Sequence, residues 1–388
     1  MTRRGRWAAA AAVAVVVVTT APTPGVAVAG PSTVLPAASA TPVCQIRDAR
    51  LNEISGLVAT DEGFVVVNDG ADEESRRRIF LLDADCAVVR TVRYPSRPRD
   101  TEDLGVGADG TIWVADIGDN DRSRSTVALW RLAPGAARPV LHRVAYPDGP
   151  HNAEALLVAG DGPPVIVTKQ GGTAGLYRPA APLRPGATVP LARVGQVRLP
   201  STTTRNPFSF VGRGVVTGGA TAPDGRRVVL RTYADAFEFD VTGGDMVEAL
   251  TTGTPRVVAL PNEPQGESIA YSPDGRSLLT VSETANEPPG TRPTILRYAL
   301  TPTPTVSTRR PDPAPTASRS RPGDGGTDGV GDHAAGGAGD RRAAGDHADR
   351  GGTATLVVGG VGVALGLVTL GLVMVRGARR GGRPPGRP

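Results

Sequence analysis

Short apolar runs with alternating spacing follow one another along the middle of the chain, and few stretches show helical spacing. A run of about seven residues leads into "DG" or a single glycine, and a second apolar run follows. Because side chains on a strand alternate between two faces, this spacing predicts β-strands joined by tight hairpin turns. The pattern recurs, with starting positions at Glu53, Glu102, Glu154, Thr217 and Glu267.

Each repeat continues with a third apolar run, and all but the last add a fourth. Four antiparallel strands at a period of about 50 residues are typical of a β-propeller blade. The chain is therefore predicted to be all-β, with a β-propeller over residues 41–300. Five four-stranded blades are favoured. Six stay open, because the interval before Thr217 is long and leaves "STTTRNPFSFVGRG" unassigned.

The last repeat lacks a fourth strand, and residues 43–51, ahead of the first repeat, can supply it. Such pairing would close the ring and cover strand edges that otherwise invite aggregation. Cys44 would then lie on the outer strand of the last blade, and Cys86 just before the outer strand of the first. Both cysteines are expected outside the cell, so a disulfide between them is the default.

Several motifs occur in a fixed order: "EISGL", "TEDLGV", "WVADIGDND", "AEALLV" and "QGESIAYSPDG". Through them the chain resembles a group of secreted bacterial β-propellers, loosely allied to the NHL, SMP-30/gluconolactonase and phytase-like propellers. The resemblance implies the fold over residues 44–300. Gluconolactonase-like enzymes hold a divalent metal with Glu, Asn and Asp; Glu53, Asn120 and Asp116 match those types, but the usual Glu-Gly-Pro opening is absent. Phytase-like members hold calcium with acidic side chains.

The two ends of the chain predict a membrane-anchored, exported protein. Residues 1–29 combine three arginines, an apolar run and an Ala-x-Ala triplet, which is the layout of a secretory signal peptide. Residues 353–375 carry no charge and are long enough for one C-terminal transmembrane helix. Five arginines follow in residues 376–388, which predicts a basic cytoplasmic tail and an extracellular propeller in the cell membrane.

The remaining segment, residues 301–352, is rich in Pro, Gly, Ser and Thr and has almost no large apolar residue, which predicts a disordered stalk. Gly362 and Gly366 form a small-xxx-small pair in the predicted transmembrane helix, which suggests a homodimer there. The net charge of +5 comes from the two ends, since residues 41–300 carry −3. A nucleic-acid partner is therefore not expected.

The inner strands of a propeller line its central channel, and the repeats place several polar residues at the same end of it. Four glutamates start inner strands, and the second strands end on polar residues of mixed charge. Like charges this close raise each other's pKa unless a cation intervenes. The candidate channel or ligand-binding residues are Glu53, Asn68, Glu102, Asp116, Glu154, Lys169, Arg231 and Glu267.

A second acidic feature is the loop "DIGDND", residues 116–121. Together with the channel it supplies the candidate metal ligands Glu102, Asp116, Asp119 and Asn120. Ca²⁺ is the cofactor such oxygen donors suit. The alternatives are an Asx-turn loop, and channel carboxylates satisfied by Lys169, Arg231 and backbone amides. His151, three residues before Glu154, is a further candidate acid–base at the channel mouth.

No complete catalytic set is present: there is no G-x-S-x-G, P-loop or zinc-type cluster. Catalytic residues therefore stay unassigned. The favoured hypothesis is a cell-surface binding module that recognises an envelope protein or glycan. The alternative is a Ca²⁺-dependent hydrolase of phosphoester or lactone type that uses the channel carboxylates. A measurement of Ca²⁺ affinity distinguishes the two hypotheses, because a lack of binding would remove the main support for the hydrolase.

Overall fold

A computed structural model describes residues 39–160 and 162–300. The predicted signal peptide, stalk, transmembrane helix with Gly362 and Gly366, and cytoplasmic tail lie outside these residues. Within the described residues, no helix is long and apolar enough to cross a membrane.

The described chain folds as twenty β-strands and one short helix, α1 (Met246–Thr252). The first two strands along the chain are β1 (Thr41–Gln45) and β2 (Ile54–Thr60). The next seven are β3 (Gly63–Asn68), β4 (Arg78–Leu82), β5 (Val88–Arg93), β6 (Asp103–Val106), β7 (Ile112–Asp116), β8 (Val127–Leu132) and β9 (Val140–Ala145). They are followed by β10 (Ala153–Leu157), β11 (Val165–Thr168), β12 (Ala174–Pro179), β13 (Thr188–Val197), β14 (Gly218–Thr221), β15 (Arg227–Arg231) and β16 (Asp235–Asp240). The last are β17 (Arg256–Ala259), β18 (Gln265–Tyr271), β19 (Ser277–Glu283) and β20 (Thr294–Ala299).

These strands pair as five antiparallel groups of four: β2–β5, β6–β9, β10–β13, β14–β17, and β18–β20 with β1. The inner strands β2, β6, β10, β14 and β18 contact one another in that order, and β18 contacts β2 again. The chain is therefore a β-propeller, and the described strands form five blades. The predicted "DG" turns are present: Gly110, Gly225 and Gly275 all adopt positive φ, which an L side chain disfavours.

The ring closes through the N-terminal strand. β1 pairs with β20, so the first described strand completes the last blade, although it covers Thr41–Gln45 and not the whole of residues 43–51. Cys44 on β1 and Cys86 in the β4–β5 loop form a disulfide with their Cα atoms 5.8 Å apart. The predicted disulfide is confirmed, and it joins the last blade to the first.

The hydrophobic cores lie between neighbouring blades. For example, Leu57 and Phe80 of the first blade pack in one cluster with Leu279 and Ile295 of the last. A separate irregularity joins the second and third blades, because β13 also pairs in parallel with β9. This parallel pairing merges those two four-stranded groups into a single eight-stranded sheet.

Asp103, a residue the repeats did not single out, ties three inner strands together. Its carboxylate is fully buried and accepts hydrogen bonds from the backbone N–H groups of Leu104, Leu156 and Gly219, on three different inner strands. Burial raises the pKa of Asp103 well above its usual value, despite these bonds. A cavity of about 440 Å³ lies where the inner strands end, lined by apolar residues such as Leu104 and by polar residues such as Asp61 and Thr221.

Candidate functional site

A β-bulge recurs near the start of the inner strands and decides which side chains meet on the axis. The pairing of β10 shifts between Ala153 and Ala155, and that of β18 shifts between Gly266 and Ser268. The bulged residues are therefore Glu154 and Glu267. A bulge re-aims its extra residue, so a repeated bulge directs equivalent side chains to one place.

The same position in the second blade holds Glu102. Its N–H bonds the carbonyl of Ala115, although Ala115 also pairs with Asp103. One carboxylate oxygen each from Glu102, Glu154 and Glu267 lies within 4.8 Å of the others. Three glutamates that the repeats placed around the channel are therefore brought together, and all three are buried.

Glu53 lies outside this cluster. In the first blade the pairing shifts between Ile54 and Gly56, so the bulged residue is Ser55. Ser55 occupies the fourth place, and its hydroxyl donates to the carbonyl of Glu102 and to its Oε2 at 3.3 Å. Glu53, two residues earlier, pairs instead with Arg76 at 2.5 Å, and 35% of its side chain is exposed. The sequence repeats align Glu53 with Glu102, but the structure places Ser55 at the position equivalent to Glu102. The predicted alignment of the first blade is therefore wrong by two residues.

Two residues outside the sequence candidates complete a second acidic group. Carboxylate oxygens of Asp69, Asp100 and Glu102 also lie within 4.8 Å of one another. Asp100 precedes Glu102 by two residues, as Glu53 precedes Ser55, and Asp69 follows β3 directly. Asp69 is not among the candidates that the sequence repeats indicate. Its position beside the end of a second strand was the available indication.

Lys169 occupies the opposite side of the cluster. Its Nζ lies 2.6 Å from Glu154 Oε1 and 3.7 Å from Glu267 Oε1, and it donates to the Tyr233 hydroxyl at 2.8 Å. Tyr233 in turn donates to Glu267 Oε1 at 2.9 Å. The ammonium group therefore acts as a tethered cation for these two glutamates.

Six carboxylates interact at this mouth: Asp69, Asp100, Glu102, Glu154, Glu267 and Glu283. Burial, reinforced by the neighbouring negative charges, raises the pKa of Asp69, Glu102 and Glu283 well above the usual range. Burial also raises the pKa of Glu154 to about 8, although Lys169 opposes the shift. Burial disfavours the charge on Lys169, but Glu154 and Glu267 raise its pKa well above the ordinary value. The mouth therefore holds more carboxyl groups than its single lysine can pair with.

Glycines bring the backbone close to these carboxylates. A Cβ at Gly118 would collide with Glu102 Oε1 and Asp100 Oδ2, and one at Gly70 would collide with Asp100 Oδ1. Glu154 Oε2 is buried and has no hydrogen-bond partner among the described residues. An unpartnered buried carboxylate oxygen beside two acidic groups is the donor arrangement that a bound cation would satisfy.

In the "DIGDND" loop, the candidate metal ligands accept hydrogen bonds from the protein itself. Both oxygens of Asp116 accept protein hydrogen bonds, from Arg124, Trp130 and the N–H groups of Arg99 and Asp100. Asp119 accepts the N–H groups of Ser123 and Arg124, which is Asx-turn chemistry, and Asn120 accepts from Asn152. Of the four candidate metal ligands, only Glu102 lies in an acidic group.

Two further channel candidates have local partners. Arg231 is fully buried, pairs with Glu263 at 2.9 Å and donates to the Ser268 carbonyl. It joins the fourth and fifth blades and does not contact the axial glutamates. Asn68 donates to the carbonyls of Arg50 and Arg76 and so holds the loop after β3.

His151 does not reach the carboxylates of the axis. Its Nε2 lies 2.9 Å from Asp148 Oδ1 and 3.1 Å from the Tyr177 hydroxyl, with Tyr146 edge-on to its ring. These contacts place His151 in a small group with Asp148, Tyr146 and Tyr177.

We predict that, without divalent cations, stability falls as the pH rises from 5 to 8. The folded chain holds protons on groups such as Glu154, whose pKa rises from 4.5 to about 8. The unfolded chain releases them near pH 4.5, so stability is full below that value and is lost as the pH approaches 8. Because each unit of pKa difference is worth about 1.4 kcal/mol, urea unfolding in EDTA should show a loss of roughly 3–4 kcal/mol between pH 5 and pH 8. Glu154→Gln should flatten the profile, and a wild-type stability that rises over this range would contradict the prediction.

The fold and the site thus define a β-propeller with an acidic cluster on its axis. No protein-family model matches the chain, and no curated protein matches it significantly. Solved structures similar to it include a streptogramin B lyase, at 14% identity and a TM-score of 0.33 over 64% of this chain and 66% of that one. The WD40 repeats of RRP9 match at 11% identity and a TM-score of 0.34, over 64% of this chain and 67% of that one.

A proposed gluconolactonase matches at 12% identity and a TM-score of 0.40, over 69% of this chain and 96% of that one. All these neighbours are propellers, in keeping with the loose alliance expected from the sequence motifs. At such low similarity they carry no argument about activity. The chain spans about two thirds of the length of the lyase. The assignment of the fold rests on the strand pairing of the chain itself.

Proposed function

We propose that this chain is an extracellular, membrane-anchored β-propeller that binds a Ca²⁺-class cation on its axis and uses that mouth to bind a ligand. The observation that carries the proposal is the convergence of Asp69, Asp100 and Glu102. The extracellular location is carried by the sequence of the two chain ends. Ca²⁺ prefers six to eight oxygen ligands in flexible geometry, which clustered carboxylates provide.

The two acidic groups differ in whether a basic side chain balances their charge. In the group of Glu102, Glu154 and Glu267, Lys169 forms ion pairs with Glu154 and Glu267. Asp69 and Glu102 form no ion pair with a basic residue of the described chain, so protonation or a bound cation would relieve their repulsion. We therefore place the cation against Asp69, Asp100 and Glu102, on the side away from Lys169.

Calorimetric titration of the full-length chain with Ca²⁺ tests this proposal. We expect saturable binding with a Kd of about 10⁻⁴ to 10⁻³ M or tighter, the range of extracellular modules. Asp69→Asn should weaken it at least about tenfold, or roughly 1.4 kcal/mol. Asp121→Asn is the matched control, because Asp121 is exposed and belongs to neither acidic group. Absence of binding up to about 10 mM Ca²⁺, well above that affinity range, would overturn the proposal.

The second candidate function is a cation-dependent hydrolase of phosphoester or lactone type. The observation that favours it is Glu154, whose pKa of about 8 and unpartnered Oε2 suit a group that exchanges protons near neutral pH. Screening the Ca²⁺-loaded chain against phosphoesters and lactones tests this candidate. Turnover that disappears in Glu154→Gln, with Ca²⁺ binding intact, would favour the enzyme over the binding module.

A further inference from the structure

A long loop, residues 198–217, connects β13 to β14 and belongs to no blade. It contains 20 residues, between Val197 and Gly218, with one 3-10 turn at Val211–Arg213. Connections longer than about 12–15 residues are uncommon in compact domains and are usually functional or disordered. The question is therefore whether this loop is held in place.

Several hydrogen bonds hold the loop. The hydroxyls of Thr202 and Thr204 donate to the two carboxylate oxygens of Asp235, at 2.5 and 2.6 Å. Asn206 accepts from the N–H of Phe208 and donates to the carbonyl of Ser209. These bonds tie the loop to the fourth blade and to itself, so it is an ordered insertion.

The loop borders the axial cluster. The ring of Phe208 lies 4.3 Å from that of Tyr233, centroid to centroid. Tyr233 bonds both Lys169 and Glu267, so one aromatic contact separates the loop from the acidic mouth. A ligand seated on the loop would therefore lie on the Tyr233 and Lys169 side of the axial cluster.

A depression of about 500 Å³ opens on this loop, within the size range of small-ligand sites. Its lining is made of hydrogen-bonding and cationic groups and contains no acidic side chain. Representative lining residues are Thr203, Arg205, Asn206, Ser209, Arg213 and Asn262. The depression therefore differs from the acidic mouth, because its lining side chains are cationic or neutral.

The backbone around the depression is specialised as well. Ser209 and Asn262 both have left-handed φ, 56° and 60°, although neither is glycine. Such conformations cost energy and cluster at ligand clamps, where the surrounding structure fixes them. The N–H of Asn262 donates a hydrogen bond to the carbonyl of Arg205. This bond holds the two lining residues together.

Two exposed side chains lie on this loop: Arg205 lines the depression, and Phe210 directly follows the lining residue Ser209. Phe210, next to Ser209, is 76% exposed, the largest exposure among the large apolar residues of the described chain. Arg205 is exposed, and its guanidinium makes no hydrogen bond to any described residue. Arg213, by contrast, bonds the carbonyls of Ser209 and Thr202 and so closes the loop.

We infer that this depression binds a carboxylate-bearing saccharide, with Phe210 stacked on a sugar ring and Arg205 paired with the acid group. Arginine matches carboxylates through two parallel hydrogen bonds. The hydroxyl and amide groups of the lining suit the hydroxyl groups of a sugar. A saccharide fits better than an acidic peptide, because the lining offers few apolar positions for peptide side chains.

Binding of an α-1,4-linked galacturonate hexamer to the full-length chain tests the inference. We expect the hexamer to bind by calorimetric titration, and Arg205→Gln and Phe210→Ala each to weaken binding at least tenfold. Arg138→Gln is the matched control, since this exposed arginine lies in the β8–β9 loop, on the opposite face of the propeller. Maltohexaose, which has the hydroxyl groups but no carboxylate, should bind at least tenfold more weakly.

Three outcomes would overturn the inference: no hexamer binding, equal binding of maltohexaose, or tighter binding of hexaglutamate, which would assign the surface to an acidic peptide. Each variant should keep the wild-type unfolding midpoint and the wild-type Ca²⁺ titration. The result of the saccharide test is therefore independent of whether the proposed Ca²⁺ binding is correct. Saccharide binding in EDTA supports it even if Ca²⁺ does not bind.

Discussion

Replacing Glu102 by glutamine should reduce Ca²⁺ affinity at least 100-fold, or roughly 2.7 kcal/mol. Glu102 belongs to both acidic groups, so no other single carboxylate lies as close to every candidate cation position. The same change should stabilise the cation-free protein at pH 8, because folding no longer has to bury a carboxyl group whose pKa is raised by burial and by neighbouring carboxylates. Calorimetric titration and urea unfolding would record these two opposite effects.

Glu53→Gln is the control, because the sequence repeats make Glu53 look equivalent to Glu102. Glu53 is partly exposed and paired with Arg76, so its replacement should change Ca²⁺ affinity less than about threefold. If Glu53→Gln and Glu102→Gln had equal effects, the axial cluster would not be the cation site. Unchanged affinity in Glu102→Gln would likewise exclude the axial cluster as the place where the cation binds.

Arg231→Met should destabilise the fold by about 3–5 kcal/mol and leave Ca²⁺ binding by the folded protein unchanged. Arg231 is fully buried, and Glu263 is its ion-pair partner across the fourth and fifth blades. Without Arg231, the buried charge of Glu263 keeps only hydroxyl donors, from Thr280, Ser282 and Tyr298. Urea unfolding at 15 °C would measure the loss.

The exposed pair of Arg97 and Asp72 provides the comparison, since Arg97→Met should cost less than about 1 kcal/mol. Adding Glu263→Gln to Arg231→Met should recover part of the lost stability, because the orphaned charge is removed. A loss of Ca²⁺ affinity in the folded Arg231→Met protein would indicate that Arg231 contributes to the binding site in the channel. A loss of stability below about 1 kcal/mol would show that the buried pair is not structural.

Fold class followed from the sequence because the strand pattern repeats. Alternating apolar residues and "DG" turns are local features, and five copies of them determine a closed ring whatever the details of each blade. The closing strand and the disulfide followed from the same reasoning. A fifth repeat that lacked its outer strand required one from the other end of the chain, and Cys44 lay on that strand.

The members of the site depended on features that repeats do not reveal. In the first blade the recurring bulge falls on Ser55, two residues after Glu53, so a serine and not a glutamate takes the fourth axial place. Asp69 and Asp100 joined the cluster from loops whose paths depend on the packing of neighbouring blades. Asp116 and Arg231, which look like channel residues, found buried partners in their own blade or in the next.

The sequence by itself therefore determined the β-propeller, its closure and the presence of acidic residues at one mouth, because these properties follow from local pattern and composition. Only the tertiary structure decided which carboxylates converge, which of them Lys169 neutralises, and where the β13–β14 loop lies. Those outcomes depend on distances of a few ångströms between residues far apart in the chain, and strand register and loop packing set such distances.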